Sequence, residues 1–465
     1  MKFKFIVRRL SILTLCTLGA CAPFGKQAPL EVPTAYSLPE GQSTQIAQAA
    51  WWEQLRDPNL NALVKEALQT SPKLRIVKAR LDQAEAELGV AQGSSKTQVS
   101  LIAQGVGIYT NSKPVANQGN TDHTLLMAHT ALQNRWVFDF WGKNRSRIAS
   151  ALGRRKAIAY EAAQLRLELA NAVAAQYFAW QAVVEQQKII RQRIDIAKDS
   201  EKLLMRRVQA KILPTSAVYQ SELTQQQLQI ELLQLERIEK SVRYSLAALV
   251  GKTPNALADK QPGLVSSVPS LAVGHVRADL LGSRPDIAAQ RTLLQAKFHN
   301  IQETKAQFYP NIELKLLAGL AHIDAFDVVK AKSSAAVGIS PALRLPIFQS
   351  GVLQSQLAVR NAQYNEQVAI YDQTVLNAMR SAADAINDYQ NLQQQVAFRE
   401  RIVNTAQKAE AATLRRVRAG LDNGLTHLQK RDETLKLKTK AVQTKADLAI
   451  AWSNVHAQLG GGFKM

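Results

Sequence analysis

Cysteine is nearly missing from this chain. Of 465 residues only Cys16 and Cys21 carry a thiol, both close to the N-terminus. That excludes a disulfide framework and leaves the body of the chain without thiol chemistry. The seven histidines (His123, His129, His275, His299, His322, His427 and His456) are scattered. They form no HExxH or His/Cys cluster, so a zinc hydrolase pattern is absent. Acidic residues are scarce beside basic ones, 37 against 58, for a formal net charge of +21. Such a surplus suits nucleic acid, but Lys and Arg are spread along helical stretches among Gln and Glu, with no RRM, zinc-finger or homeodomain pattern. No nucleic-acid partner is expected. Gly251-Lys252-Thr253 resembles the tail of a phosphate loop, yet Leu246 stands where the first loop glycine belongs and a helix precedes it, so Gly251 is expected to cap that helix. Asp384 and Asp388 share one helical face and read as solvated acids. No enzyme is expected, and no metal or cofactor.

The N-terminus is informative. Lys2, Lys4, Arg8 and Arg9 precede a short apolar stretch from Leu10 to Ala20. Roughly 20 apolar residues are needed to span a bilayer, so this stretch reads as a secretory signal, residues 1–20. It ends Leu18-Gly19-Ala20-Cys21, which resembles the lipobox of bacterial lipoproteins, cleaved before Cys21 and acylated on it. Cleavage removes four basic and no acidic residues and leaves a mature charge of +17. Ala22 follows, where an Asp would resemble an inner-membrane retention signal; the expected address is therefore the outer membrane.

The mature chain, 21–465, reads as one domain written twice. Residues 71–101 align without a gap on 284–314: Pro72 with Pro285, Leu74 with Ile287, Leu81 with Leu294 and Val99 with Ile312. Each copy, about 51–253 and 275–460, continues with strand-like alternation, a very long helix, a short break and another helix. A Pro-, Gly- and Ser-rich linker, about 251–274, separates them. From Arg147 to about Ala210 there is no proline, and Leu165, Leu169, Val173, Tyr177, Trp180 and Val184 recur at helical spacing. At 1.5 Å per residue such a helix is a rod of roughly 95 Å; the segment from Val352 to about Ala419 is comparable. Lengths of this kind indicate coiled coil.

Between these helices the period changes to two. From Leu126 to Phe140 the even positions are mostly apolar, while His129, Gln133, Arg135 and Asp139 lie on the other face. Ile312, Leu314, Leu316, Ala318 and Leu320 oppose Asn311, Glu313 and Lys315, and an alternating stretch over 335–347 behaves likewise. A transmembrane barrel strand has this pattern, although any half-buried sheet alternates too. Aromatics make up only 6% of the chain, yet Trp136, Phe138, Phe140 and Trp141 crowd one strand end. Rings favour the membrane–water interface, so these four are expected to form a girdle there. About four strands per chain cannot close a barrel when the smallest common ones need ~8. An open edge cannot sit in lipid, so the strand count predicts an oligomer.

The segments 51–68 (WWEQLRDPNLNALVKEAL), 71–81, 138–145 (FDFWGKNR), 278–287 (ADLLGSRPDI), 306–314 and 345–351 (LPIFQSG) occur in this order. On them the chain resembles the outer membrane factors, the TolC-like export channels, and specifically their lipoprotein branch in multidrug efflux. The resemblance implies a mainly α fold with a transmembrane β-barrel: a long α-helical coiled-coil barrel, four strands per protomer and a twelve-stranded barrel completed by a homotrimer in outer membrane lipid. It implies a passive duct with no cofactor beyond the covalent lipid on Cys21. Its partners would be a periplasmic adaptor and an inner-membrane efflux transporter. The two helix breaks would be adaptor-contact tips, Ile212, Leu213 and Pro214 in the first and Gly420, Leu421, Asp422 and Asn423 in the second. Lys211 stands where the first tip usually has glycine. A pore constriction is implied at Leu425 and, one helical turn on, at Gln429, where the family commonly has Asp. Asp432 is then expected to replace that carboxylate in part. Two other readings stay open at this point: a channel for ATP-driven protein secretion, and a non-porous periplasmic coiled-coil scaffold lipoprotein.

Overall fold

The computed structural model describes residues 24–36, 50–112, 121–263, 268–271, 284–323 and 335–461. Cys21 and the signal segment lie outside them. Seven helices and four strands are described: α1 (Pro58–Thr70), α2 (Pro72–Ser94), β1 (Gln98–Ser112), β2 (Thr121–Phe138), α3 (Lys143–Gln209), α4 (Ser216–Leu249), α5 (Pro285–Ala306), β3 (Asn311–Ile323), β4 (Ala335–Arg344), α6 (Val352–Arg418) and α7 (Gly424–Gln458). The long helices α3 and α6 have 67 residues each. No described helix is long and apolar enough to cross a membrane. The chain divides into two compact units, Met1–Pro33 with Leu81–Ala157 and Arg291–Ile370, and Thr34–Arg80 with Ile158–Gln290 and Tyr371–Met465.

The first unit carries the sheet. Its order is β1-β2-β3-β4, every pair antiparallel. Register places Val99, Asn134, Leu316 and Ile339 in one row and Leu101, Leu132, Ala318 and Val337 in the next. Because side chains alternate along each strand, one face gathers these residues. On it Val99, Leu101, Leu132, Val337 and Ile339 are exposed. The opposite face carries Gln98, Arg135, Asn311, Glu313, Lys315 and Arg344, with Arg135 2.9 Å and Lys315 3.1 Å from Glu313. An exposed apolar face backed by a charged one suits lipid on one side and water on the other.

Two expected strand ends move inward. The alternation continues to Trp141, but β2 stops at Phe138 because the Asp139 carboxylate accepts the N–H groups of Asn144 and Arg145 at 2.9 Å each and starts α3 there. In β4 the ladder ends at Arg344, two residues before Pro346, whose ring nitrogen has no proton to donate. At the foot of the sheet Ile301, Phe308, Leu353 and Leu357 form a small core, against which Phe24 and Leu30 pack. The segment carrying them is held along α6, Glu31 N–H donating to Asn365 at 3.0 Å.

The second unit holds the main core. The fully buried rings of Trp51, Tyr177, Trp180, Tyr389 and Trp452 pack with aliphatic residues of α1, α3, α4, α6 and α7. Asp57 caps α1 through its N–H groups and also accepts from the Tyr177 hydroxyl at 2.8 Å. That hydroxyl in turn accepts the Gly263 N–H, and the Tyr389 hydroxyl accepts the Leu271 N–H, each at 3.0 Å. The linker is thus pinned by one tyrosine from each long helix. Burial and the neighbouring carboxylate raise the Tyr177 hydroxyl to about 12, so it stays protonated. Arg284, of the RPDI segment, is buried and donates to the Gln458 carbonyl at 2.8 Å and to Asp286 at 2.7 Å. As the sequence indicates, Gly251 is a helix cap: its φ is +72°, and Lys252 N–H reaches the Ala247 carbonyl at 2.8 Å.

His456 is fully buried in this core. Its ring stacks 5.6 Å from Trp51 and lies 4.4 Å from Trp452, and neither ring nitrogen has a hydrogen-bond partner among the described residues. Burial pushes its pKa down to about 4. The unfolded chain takes up this proton near the ordinary value of about 6.5, so the neutral-histidine contribution is complete above that pH and is lost on acidification towards pH 4.

Two outcomes follow. His456→Phe, which cannot titrate, should flatten the acid fall of the thermal midpoint between pH 6.5 and 4, a span carrying about 3 kcal/mol. Leu101→Arg, on the apolar face, should cost about 2–4 kcal/mol in a bilayer and impair insertion, whereas the neighbouring Ser100→Arg, on the other face, should insert normally; outer-membrane fractionation compares them.

Candidate functional site

The helix breaks share one geometry. α3 ends with Ile212 N–H on the Arg207 carbonyl at 2.8 Å and Lys211 N–H on that of Val208 at 2.9 Å. α6 ends with Leu421 N–H on Arg416 at 2.9 Å and Gly420 N–H on Val417 at 3.1 Å. Both are Schellman caps, which require a left-handed residue at the same position. Gly420 adopts φ +69° and Lys211 φ +56°. Lysine therefore occupies a conformation that costs an L-residue with a Cβ roughly 1–2 kcal/mol. The cap leaves Ile212 and Leu421 outermost, 69% and 68% exposed. Leu213 and Pro214 complete the first turn into α4. The second turn is stiffer: Asn423 caps α7 by accepting the Thr426 N–H at 3.0 Å, and Asp422 accepts the Asn423 N–H at 2.9 Å. That bond, with help from Thr426 and Arg416, holds the Asp422 carboxyl below its ordinary range.

α7 carries the next group. Leu425 is partly exposed and Gln429 is exposed, one turn apart. A Cβ on Gly424 would lie 3.4 Å from Leu203 of α3, so the two breaks are neighbours within this unit. Asp432, expected to replace the missing carboxylate in part, is paired within the chain. Its oxygens meet Arg193 Nε at 2.7 Å and Lys436 Nζ at 2.9 Å. Arg193 is nearly buried and also lies 3.5 Å from Glu231 of α4. Burial alone would raise the Asp432 pKa, but the hydrogen bonds from Arg193 and Lys436 outweigh it and hold the carboxyl below its ordinary value. Its negative charge is met inside the chain, by an arginine from the other half of the sequence. Arg193 is thus a site residue that motif reading missed; only its partner's charge hinted at it.

The aromatic burst divides. Trp136 and Phe140 are exposed, and the rings of Trp136 and Phe138 are 4.6 Å apart. Trp141 is exposed too, and it has partners beyond the strand. It stacks on Tyr309 at 4.6 Å and 17°, and its indole N–H donates to the Pro310 carbonyl at 2.9 Å. Lys143 and Arg147 follow on α3, and Arg147 pairs with Glu303 at 2.8 Å. Burial, then Arg147, pull the Lys143 ammonium below its usual pKa, with Glu303 and Asp139 opposing.

Long helices broken by paired tips, together with a sheet that bares an apolar face on one side and charges on the other, define a subunit of a membrane channel. The comparisons are specific: a model of the outer membrane efflux protein family matches residues 63–252 and 276–461, and the chain belongs to that family. It is 26% identical to the multidrug resistance outer membrane protein MdtP of Escherichia coli (strain K12), over 99% of this chain and 98% of that one. Among solved structures it is similar to the outer membrane protein VceC of Vibrio cholerae, 27% identical with TM-score 0.75, over 90% of this chain and 100% of that one. The outer-membrane channel OprN, 22% identical, shares the fold at TM-score 0.81, over 93% of this chain and 99% of that one. The protein is an outer membrane efflux channel component.

The cap geometry makes the first tip the weaker one. Lys211→Gly should stabilise the end of α3 by about 1 kcal/mol, and Gly420→Ala should destabilise the end of α6 by about as much; amide exchange at the last turns of the two helices reads both.

Proposed function

We propose that this chain is the outer-membrane exit duct of a tripartite efflux system, passing drugs or other small toxic compounds delivered by an inner-membrane transporter through a periplasmic adaptor. The observation that carries this reading is the sheet, with its exposed apolar face, its charged face and its two unpaired edges. The two edges support an oligomer, and the resemblance to the TolC-like channels supports three copies, whose twelve strands would leave no edge. The multidrug resistance named for the similar MdtP supports drugs as cargo. The double match of the family model, and the same cap at both breaks, support a duplicated domain with halves near 51–253 and 275–460.

Anchoring by a lipid on Cys21 is supported by the neighbouring residues. Phe24 packs 4.8 Å from Phe308, just before β3 begins. Phe24, three positions after Cys21 in the sequence, thus sits in the small core at the foot of the sheet. Trp136, Phe138, Phe140 and Trp141 suit the interfacial girdle at the strand ends.

At the tips, exposed Ile212 and Leu421 offer an adaptor the apolar contacts that protein interfaces favour at their centres. Leu425 fits an apolar constriction. With Gln429 neutral and Asp432 paired, the constriction carries no unpaired carboxylate of its own at these positions.

Planar-bilayer recording tests the duct. Purified lipidated protein should give discrete channel events, and Leu425→Ala should raise the open probability or conductance. Stable insertion with no conductance from either protein would overturn the reading.

A further inference from the structure

Where strands give way to helices, the first unit has a half-open cavity of about 550 Å³. Its walls come from the ends of β1, β2, β3 and β4 on their charged face, and from the adjoining ends of α2, α3, α5 and α6. The lining has five cations, Lys96, Arg135, Lys143, Arg147 and Arg344, against one carboxylate, Asp139.

The nearby acids are committed elsewhere. Both Asp139 oxygens accept helix N–H groups, Glu303 is taken by Arg147, and Glu313 by Arg135 and Lys315. Lys96, Lys143 and Arg344 are left with no ion pair to a described residue. Lys96 and Arg344 are exposed and Lys143 is half-buried, so all three can reach an anion arriving from solvent.

The cavity also has a flat apolar wall. Trp141 and Tyr309 stack on one another within the lining, and the hydrogen bond from the Trp141 indole to Pro310 fixes the plane. Gln98, Asn311, Gln349 and Gln356 add neutral hydrogen-bonding groups. Rings beside cations recognise molecules that combine a π-face with negative charge. The strand residues involved lie on the face opposite the apolar one, so a water-borne ligand suits the site better than a lipid headgroup.

We infer that this strand-end cavity is a binding site for aromatic organic anions, carboxylates or sulfonates, which the channel holds briefly on their way out. The inference rests on the duct reading for the words "on their way out", while binding itself does not depend on conductance. Lys96, Lys143 and Arg344 supply the charge, and the Trp141–Tyr309 pair supplies the stacking surface.

The probe is pyrene-1,3,6,8-tetrasulfonate, a fluorescent aromatic anion, titrated into the full-length detergent-solubilised protein. Lys96→Gln, Lys143→Gln and Arg344→Gln together should weaken binding by about tenfold or more, the scale of one lost charge-assisted contact. A control variant removes three exposed lysines of the other unit, Lys65→Gln, Lys240→Gln and Lys408→Gln, and should bind as wild type does. Circular dichroism and size must match wild type for both. Trp141→Leu should weaken the pyrene probe while leaving all the cations in place. Equal loss in the triple variant and its control would mean diffuse attraction by a basic protein and would overturn the site, as would no binding to wild type. Conductance recorded alongside separates the two readings: binding without a pore refutes the duct alone, and a pore without cation-dependent binding refutes the site alone.

Discussion

Everything in the strand-bearing unit depends on one constraint: backbone N–H and C=O groups cannot be left unpaired in hydrocarbon. Each such group costs several kcal/mol there. Among the described residues β1 pairs only with β2 and β4 only with β3, so the four-stranded sheet has two open edges. On its apolar face Leu101, Leu132, Leu316 and Val337, one from each strand, are exposed. In water that face and those edges would invite aggregation; in an outer membrane they call for lipid and for other copies of the chain. The charged face then looks inward, and the ion pairs of Arg135, Glu313 and Lys315 are kept in water.

Charge is handled differently at the helix breaks. Asp432 is balanced within one chain by Arg193 and Lys436, and Arg193 reaches Glu231 as well. The three helices α3, α4 and α7 therefore meet through one nearly buried guanidinium. Removing it would leave a half-buried carboxylate with a single lysine partner, the situation in which ion pairs matter most.

Much of this was legible in the sequence, for identifiable reasons. The 67-residue helices lack proline and keep helical spacing, so their extent was readable to within a few residues. The strand faces followed from period-two alternation, since a single register shift would have turned Leu101 and Leu316 to the wrong side. Gly251 and Gly420 betrayed their caps because glycine is the common left-handed residue; Lys211 did not, and only its alignment with Gly420 suggested a turn. Contacts across hundreds of residues were out of reach. Arg193 finds Asp432 239 positions away, and Glu31 finds Asn365 334 positions away. The strand-end cavity was hidden for the same reason, because Lys96, Lys143 and Arg344 come from three separate segments. The stacking of Trp141 on Tyr309, 168 positions on in the sequence, was out of reach in the same way.

The central claim is that no single copy can satisfy its sheet edges in lipid. Native mass measurement of the detergent-extracted protein tests it most directly. The account predicts a homotrimer that persists in mild detergent and binds lipid along its sheet. A protein that inserts stably in membranes as a monomer would contradict it.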